Sequence, residues 1–148
     1  MVVRPERDED RDGVWRVNEL AFGRAGEAAL VDALRAAGAL ICSLVAEDEG
    51  QIVGHVAFSP ATLASANETI AIAALGPVAV LPNRQRRGVG GALITAGLDV
   101  CRSAGYGLCI VLGHPAYYPR FGFRPTAPLG IRWEHNAPAE AFMVMELR

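Results

Sequence analysis

Three sets of residues in this chain carry side chains or backbone suited to chemistry. The first is Gln85-Arg86-Arg87-Gly88-Val89-Gly90-Gly91, which follows Val80-Leu81-Pro82-Asn83-Arg84. A helix opening at those glycines leaves its first N–H groups without intrahelical partners, and its dipole puts partial positive charge on them. Glycine also removes the Cβ that would hold a ligand's oxygens away. Flanking arginines add formal charge, and the sum is the chemistry of a phosphate or pyrophosphate cradle. The second set is the tyrosine pair Tyr117-Tyr118. A phenol of pKa ~10 keeps its proton at neutral pH and can donate it where negative charge develops. The third set holds candidate bases: Glu27 at a helix start, His55 within an apolar strand, and Glu19 and Glu68.

Composition removes several alternatives. All fourteen basic residues are arginine, so neither a P-loop lysine nor a Schiff base is available. A Rossmann fingerprint would need glycine where Leu93 stands. The net charge of −2 argues against a protein built to grip nucleic acid. Cys42, Cys101 and Cys109 are odd in number and form no C-x-x-C, which fits a reduced, cytoplasmic chain. No His or Cys has a partner at metal-ligand spacing, so no metal is expected. The densely charged Met1–Asp12 stretch offers no apolar signal region. The longest apolar run, 70–80, contains Pro77 and is far short of the ~20 residues of a membrane span.

The elements that must position these groups follow from periodicity. Val2-Val3 reads as a short first strand. Helices are expected over 8–22, on Val14, Val17, Leu20 and Ala21, and over 27–37, on Ala28, Val31, Ala33 and Leu34. Strands over 40–47 and 51–58 flank the acidic turn Asp48-Glu49-Gly50 as a hairpin. Residues 60–67 read as a loop. A strand over 70–80 should bulge or bend at Gly76-Pro77, because proline cannot donate to a ladder. A helix over 88–103 carries Val89, Leu93, Ala96 and Val100, and the unbroken apolar run 108–112 reads as a central strand. A short aromatic segment over 117–123, a loop over 125–138 and a last strand over 141–147 complete an α/β fold with a mixed sheet and a parallel crossover. No linker or repeat divides the chain, so one domain over 1–148 is expected.

Gln85-x-x-Gly88-x-Gly90, with Val80-x-Pro82 before it, resembles the acyl-CoA loop of the GNAT superfamily, the Gcn5-related N-acetyltransferases. Tyr118-x-x-x-Gly122-Phe123 resembles the family's segment after its fifth strand. The doubled tyrosine, Gly54-His55-Val56-Ala57-Phe58-Ser59 and Leu75-Gly76-Pro77-Val78-Ala79-Val80 are most similar to its YhbS-like branch.

That resemblance implies a GNAT-like fold with splayed central strands and transfer of acetyl from acetyl-CoA to an amine by direct attack. The backbone of Val78, Ala79 and Val80 would pair with pantetheine, the Val80 N–H would polarise the thioester carbonyl, and amides from Gln85 to Gly91 would hold the pyrophosphate. One of Arg84, Arg86 and Arg87 would meet the ribose phosphate. Tyr118 matches the general-acid tyrosine. An alkylammonium of pKa ~10.4 must lose a proton before it attacks, and Glu27 and His55 are candidates, beside Glu19, Glu68 or a water chain. The acceptor would be a small-molecule or peptide amine, and a homodimer is left open. In one respect the sequence departs from the family: counting back seven from Tyr118 to the usual CoA-contacting Asn gives Val111, and Gly113-His114 occupies that loop. Trp133, Glu134 and His135 fall in a late loop that overhangs the acceptor side in such folds. A non-catalytic acyl-CoA-binding module of the same fold is the alternative.

Overall fold

The computed structural model describes residues 1–64, 66–129 and 141–148. Among these residues, seven strands form one mixed sheet in the order β1-β2-β3-β4-β5-β7-β6. They are β1 (Val2–Pro5), β2 (Cys42–Asp48), β3 (Gln51–Ala64), β4 (Thr69–Val80), β5 (Leu108–Leu112), β6 (Arg124–Pro125) and β7 (Phe142–Glu146). Three helices accompany them: α1 (Arg11–Phe22), α2 (Gly26–Ala36) and α3 (Val89–Ser103). The β4–β5 pair is parallel, with α3 as its crossover, and the remaining pairs are antiparallel. The expected loop-rich stretch over 125–138 and the late-loop residues Trp133, Glu134 and His135 lie largely or wholly outside the described residues; the described part includes a 3₁₀ turn over Ala127–Leu129.

β2 and β3 are joined at Glu49-Gly50, both at positive φ, as a two-residue hairpin turn requires. β3 continues to Ala64, where the sequence suggested a loop. Beyond Phe58 it has lost β2 and pairs with β4 alone, Pro60 lying opposite Ala73. Proline is tolerated on such an edge because no second ladder asks for its N–H.

Successive residues of β3 face opposite layers. His55 meets Asn18 of α1, while Gly54 lies under α3, where a Cβ would come within 2.9 Å of both Val89 and Leu93. One turn further along α3, a Cβ on Gly97 would fall 2.0 Å from the Phe58 ring. The two glycines let α3 sit close on β3, and this contact rotates the helix from the expected stripe. Val89, Leu93, Ile94, Gly97, Leu98 and Cys101 are buried, whereas Val100 is 37% exposed. In α1, Asn18 is buried in place of the expected Leu20. At the other end of the sheet, buried Asp10 holds the start of α1 to β1 by accepting from both terminal nitrogens of Arg4, which also reaches Glu47. Arg4 keeps the Asp10 carboxyl below its ordinary range.

β4 carries the feature that makes a cleft. Its pairing with β5 covers only Ala73–Leu75 against Cys109–Val111. Gly76-Pro77 follows, with both residues set against the single Ala57 of β3, a bulge. Past that bend β4 keeps β3 and leaves β5.

Candidate active site

The bend turns two residues outward. Leu81 N–H donates to Val53 C=O at 2.9 Å. In an antiparallel ladder the main-chain groups alternate sides, so Ala79 faces β3 while Val78 and Val80 turn their N–H and C=O toward the gap beside β5. The outward carbonyl of Val80 accepts a hydrogen bond from the Gln85 side chain at 3.1 Å, which ties the strand end to the loop that follows.

That loop is built to present amides. Arg86 and Gly88 both have positive φ, 65° and 83°. Alternating right- and left-handed residues curl successive N–H groups into one concavity. For Arg86 this conformation costs on the order of 1 kcal/mol, the kind of strain that collects at functional sites. The first bond of α3 runs from Ala92 N–H to Gly88 C=O, so the N–H groups of Val89, Gly90 and Gly91 have no intrahelical partner. Gly90 is needed for a separate reason: a Cβ there would lie 3.2 Å from the Tyr117 hydroxyl and 3.7 Å from Val80.

Opposite stand the aromatics. A 3₁₀ turn over Tyr118–Phe121 stacks Tyr117 edge-on against Tyr118 and Phe121, at 5.1 and 5.3 Å between ring centroids. The Tyr118 ring lies over Gly113, where a Cβ would come within 2.3 Å of it. Glycine therefore fills the loop after β5 because the tyrosine ring passes there. The His114 carbonyl caps the turn, accepting from the N–H groups of Tyr117 and Tyr118. Burial pushes the Tyr118 phenol up to about 12, with Tyr117 adding to the shift. Burial also raises Tyr117, against the opposing field of Arg120.

These parts enclose one cleft of about 810 Å³. Val78, Val80, Gln85, Arg86, Gly88, Val89, Gly90, Gly91 and Tyr118 are brought together on its walls. Four expected residues are not. Ala79 is 1% exposed and turns its backbone to β3. Arg87 lies outside the lining.

His55 is fully buried, with Nδ1 at 3.1 Å from Asn18 Nδ2 and Nε2 at 2.8 Å from Ser43 Oγ. With the Asn18 amide so assigned, Nδ1 accepts and Nε2–H donates, so no ring nitrogen is open to an amine. Burial first, and Arg35 second, hold its pKa down to about 3. It is a neutral rivet between α1 and the sheet. Glu27 also lies outside the lining, bound to Arg24 at 2.6 Å, which holds its carboxyl below the ordinary range.

Of the arginines, Arg84 turns to Asp48, which leaves Arg86 as the loop's cleft-lining cation with no carboxylate among the described residues. The sequence reading missed Ala21, Phe22 and Arg120 on the walls, where Tyr117, the other member of the tyrosine pair, stands beside Tyr118. A signal for Arg120 was present: three residues after Tyr117 in a helical turn, it shares that ring's face.

The bulged fourth strand, its three-rung contact with β5 and the amide cradle at α3 define an acyl-CoA-type transferase architecture. The model of the GNAT acetyltransferase domain matches residues 2–126, and the chain belongs to that family. It is 40% identical to the uncharacterized N-acetyltransferase YjhQ of Escherichia coli K12 over 139 residues, 86% of this chain and 76% of the relative. It is 36% identical to the uncharacterized N-acetyltransferase YhbS of the same strain over 148 residues, 99% of this chain and 87% of the relative. The crystal structure of Escherichia coli YhbS with CoA superposes with a TM-score of 0.91, at 34% identity over 99% of this chain and 81% of that one. A Brucella melitensis GNAT acetyltransferase with acetyl-CoA gives 0.80, at 42% identity over 98% and 86%. Among the described residues, no helix is long and apolar enough to cross a membrane.

Proposed function

We propose that this chain transfers the acetyl group of acetyl-CoA to a primary amine by direct attack. One observation carries the reading. Two strand residues with outward main-chain groups, the first amides of a helix without intrahelical partners and a half-buried phenol all open on one cleft. An extended amide chain ending in a diphosphate fits the first two; a departing thiolate fits the third. Acetyl-CoA supplies the activated thioester.

The outward N–H groups of Val78 and Val80 face the carbonyl side of such an arm, and Val80 N–H polarises the thioester oxygen. The Gln85–Gly91 amides neutralise diphosphate charge without asking any side chain to move. The acceptor ammonium loses one proton to become nucleophilic. Its nitrogen then bonds to the carbonyl carbon, the C–S bond breaks, and the nitrogen loses a second proton.

One proton ends on sulfur and one in solvent. Tyr118, near 12, is a weaker acid than a thiol at ~8.5. Its contribution is a hydrogen bond that strengthens as charge gathers on sulfur, and full transfer is completed with solvent. Direct attack also suits the cysteines, because Cys101 and Cys109 are fully buried and Cys42 lies outside the cleft lining, so none offers a covalent acyl carrier. With His55 enclosed, Glu27 held by Arg24, and Glu19 and Glu68 outside the cleft lining, the first proton leaves through water. Glu27 serves by attracting the ammonium.

The test is thiol release from acetyl-CoA across a panel of small amines and amine-bearing peptides, beside calorimetry with CoA. CoA-dependent turnover with any amine supports the reading. CoA binding with no turnover on a broad panel leaves a non-catalytic acyl-CoA-binding module, and no CoA binding removes both.

A further inference from the structure

Arg120 has no place in the chemistry above, yet it is the most deliberately held cation on the cleft wall. Its Nε donates to the Tyr117 carbonyl at 2.9 Å, and its guanidinium carbon sits 4.5 Å from the centroid of the Tyr117 ring. Two anchors on one neighbouring residue fix both the position and the plane of the fork, and such stacking suits arginine far better than lysine. No carboxylate pairs with it among the described residues, in contrast to Arg84 with Asp48. The described cleft lining contains no Asp or Glu at all. The far end of the Tyr117 ring places its hydroxyl against Gly90, in the first turn of α3. Tyr117 therefore spans the cleft, touching the amide cradle with its hydroxyl and carrying Arg120 on its face.

We infer that Arg120, positioned by Tyr117, is a phosphate-binding residue for the CoA nucleotide, closing the cradle from the side opposite the α3 amides. The inference rests on the acyl-CoA reading of the cleft. It is chemically separate from the amide cradle, which uses main chain, whereas this contact uses a preorganised side-chain fork with N–H donors matched to phosphate oxygens. The phosphate is either the diphosphate or the 3′-phosphate, and ligands lacking each one tell them apart.

The experiment is calorimetry on the full chain with CoA, 3′-dephospho-CoA and phosphate-free pantetheine, using wild type, R120Q, Y117L and the double variant. Arg120 is exposed, so R120Q should keep the wild-type melting temperature. R120Q is expected to weaken CoA about tenfold and to flatten the salt dependence of binding, while leaving pantetheine unchanged. If the loss disappears with 3′-dephospho-CoA, the contact is the 3′-phosphate; if it persists, the contact is the diphosphate. Y117L should weaken CoA several-fold in the wild-type background and have no further effect in the R120Q background. That pattern separates a positioning ring from a merely structural one.

CoA affinity in R120Q within twofold of wild type overturns the proposal, as does an equal loss for pantetheine. Additive losses in the double variant overturn the positioning role of Tyr117. Failure of the wild type to bind CoA refutes the underlying cleft reading instead, so the two failures are distinct.

Discussion

On one side of the cleft, the end of β4 and the first turn of α3 offer main-chain groups; on the other, residues 117–121 offer side chains. The first wall is fixed by the ladder to β3 and by glycines that bring α3 onto the sheet. Its recognition chemistry would tolerate many substitutions, but any Cβ at Gly90 meets Tyr117. The second wall is three rings and an arginine held by edge-on contacts and one capping carbonyl. There the identity of each side chain is the function. On the proposed function, the contrast would separate binding, assigned chiefly to backbone, from turnover, assigned to a phenol.

Substitutions can break that division, and the largest effect falls on the backbone wall. Gly90→Val should weaken CoA about a thousandfold, ~4 kcal/mol, by driving a side chain into Tyr117 and Val80; calorimetric affinity within threefold of wild type would abolish the distinction. On the side-chain wall, Tyr118→Phe should lower kcat about a hundredfold while KM stays within a few-fold. In the wild type, a phenol near 12 remains protonated through alkaline pH. The kcat/KM profile should therefore rise as the amine deprotonates and show no fall before pH ~10. A descending limb below pH 9 assigned to Tyr118 would contradict this.

Gly97→Ala tests how α3 is held. Its methyl would overlap Phe58 and should cost ~3 kcal/mol of stability, read as a lowered denaturation midpoint, with Phe58→Leu restoring most of it. An unchanged midpoint would mean that the helix is not pinned there. The smallest effect concerns the acceptor. Glu27→Gln should raise KM for a cationic amine about two- to fivefold with kcat nearly constant, because a carboxylate already held by Arg24 acts through its field. A tenfold fall in kcat would make Glu27 a proton acceptor after all.

Much of the backbone wall was legible in the sequence. Gly76-Pro77 announced the bulge, because a proline inside an apolar run has no N–H for a ladder, and Gln85-x-x-Gly88-x-Gly90 announced the helix opening. The β5 run needed no revision, since unbroken apolar residues mark a strand covered on both faces. What escaped were properties set by packing. The rotation of α3 depends on Gly97 meeting Phe58, a contact across 39 residues that no local period encodes. The extension of β3 through Pro60 depends on which neighbour strand has ended. The exclusion of His55 depends on Asn18 and Ser43, two polar residues whose spacing from it suggests nothing. The placement of Arg120 depends on the Tyr117 ring lying beneath its guanidinium.

The three-rung seam between β4 and β5 has a thermodynamic consequence. Past Leu75 the outward side of β4 carries peptide groups that no described strand pairs, so on the proposed function a bound co-substrate would act as an eighth, non-covalent strand. Anything that binds only the native state raises its stability by mass action, about 2.7 kcal/mol at a hundred times the dissociation constant. The cellular level of acetyl-CoA would then govern how long this protein survives unfolding and proteolysis, as well as how fast it works.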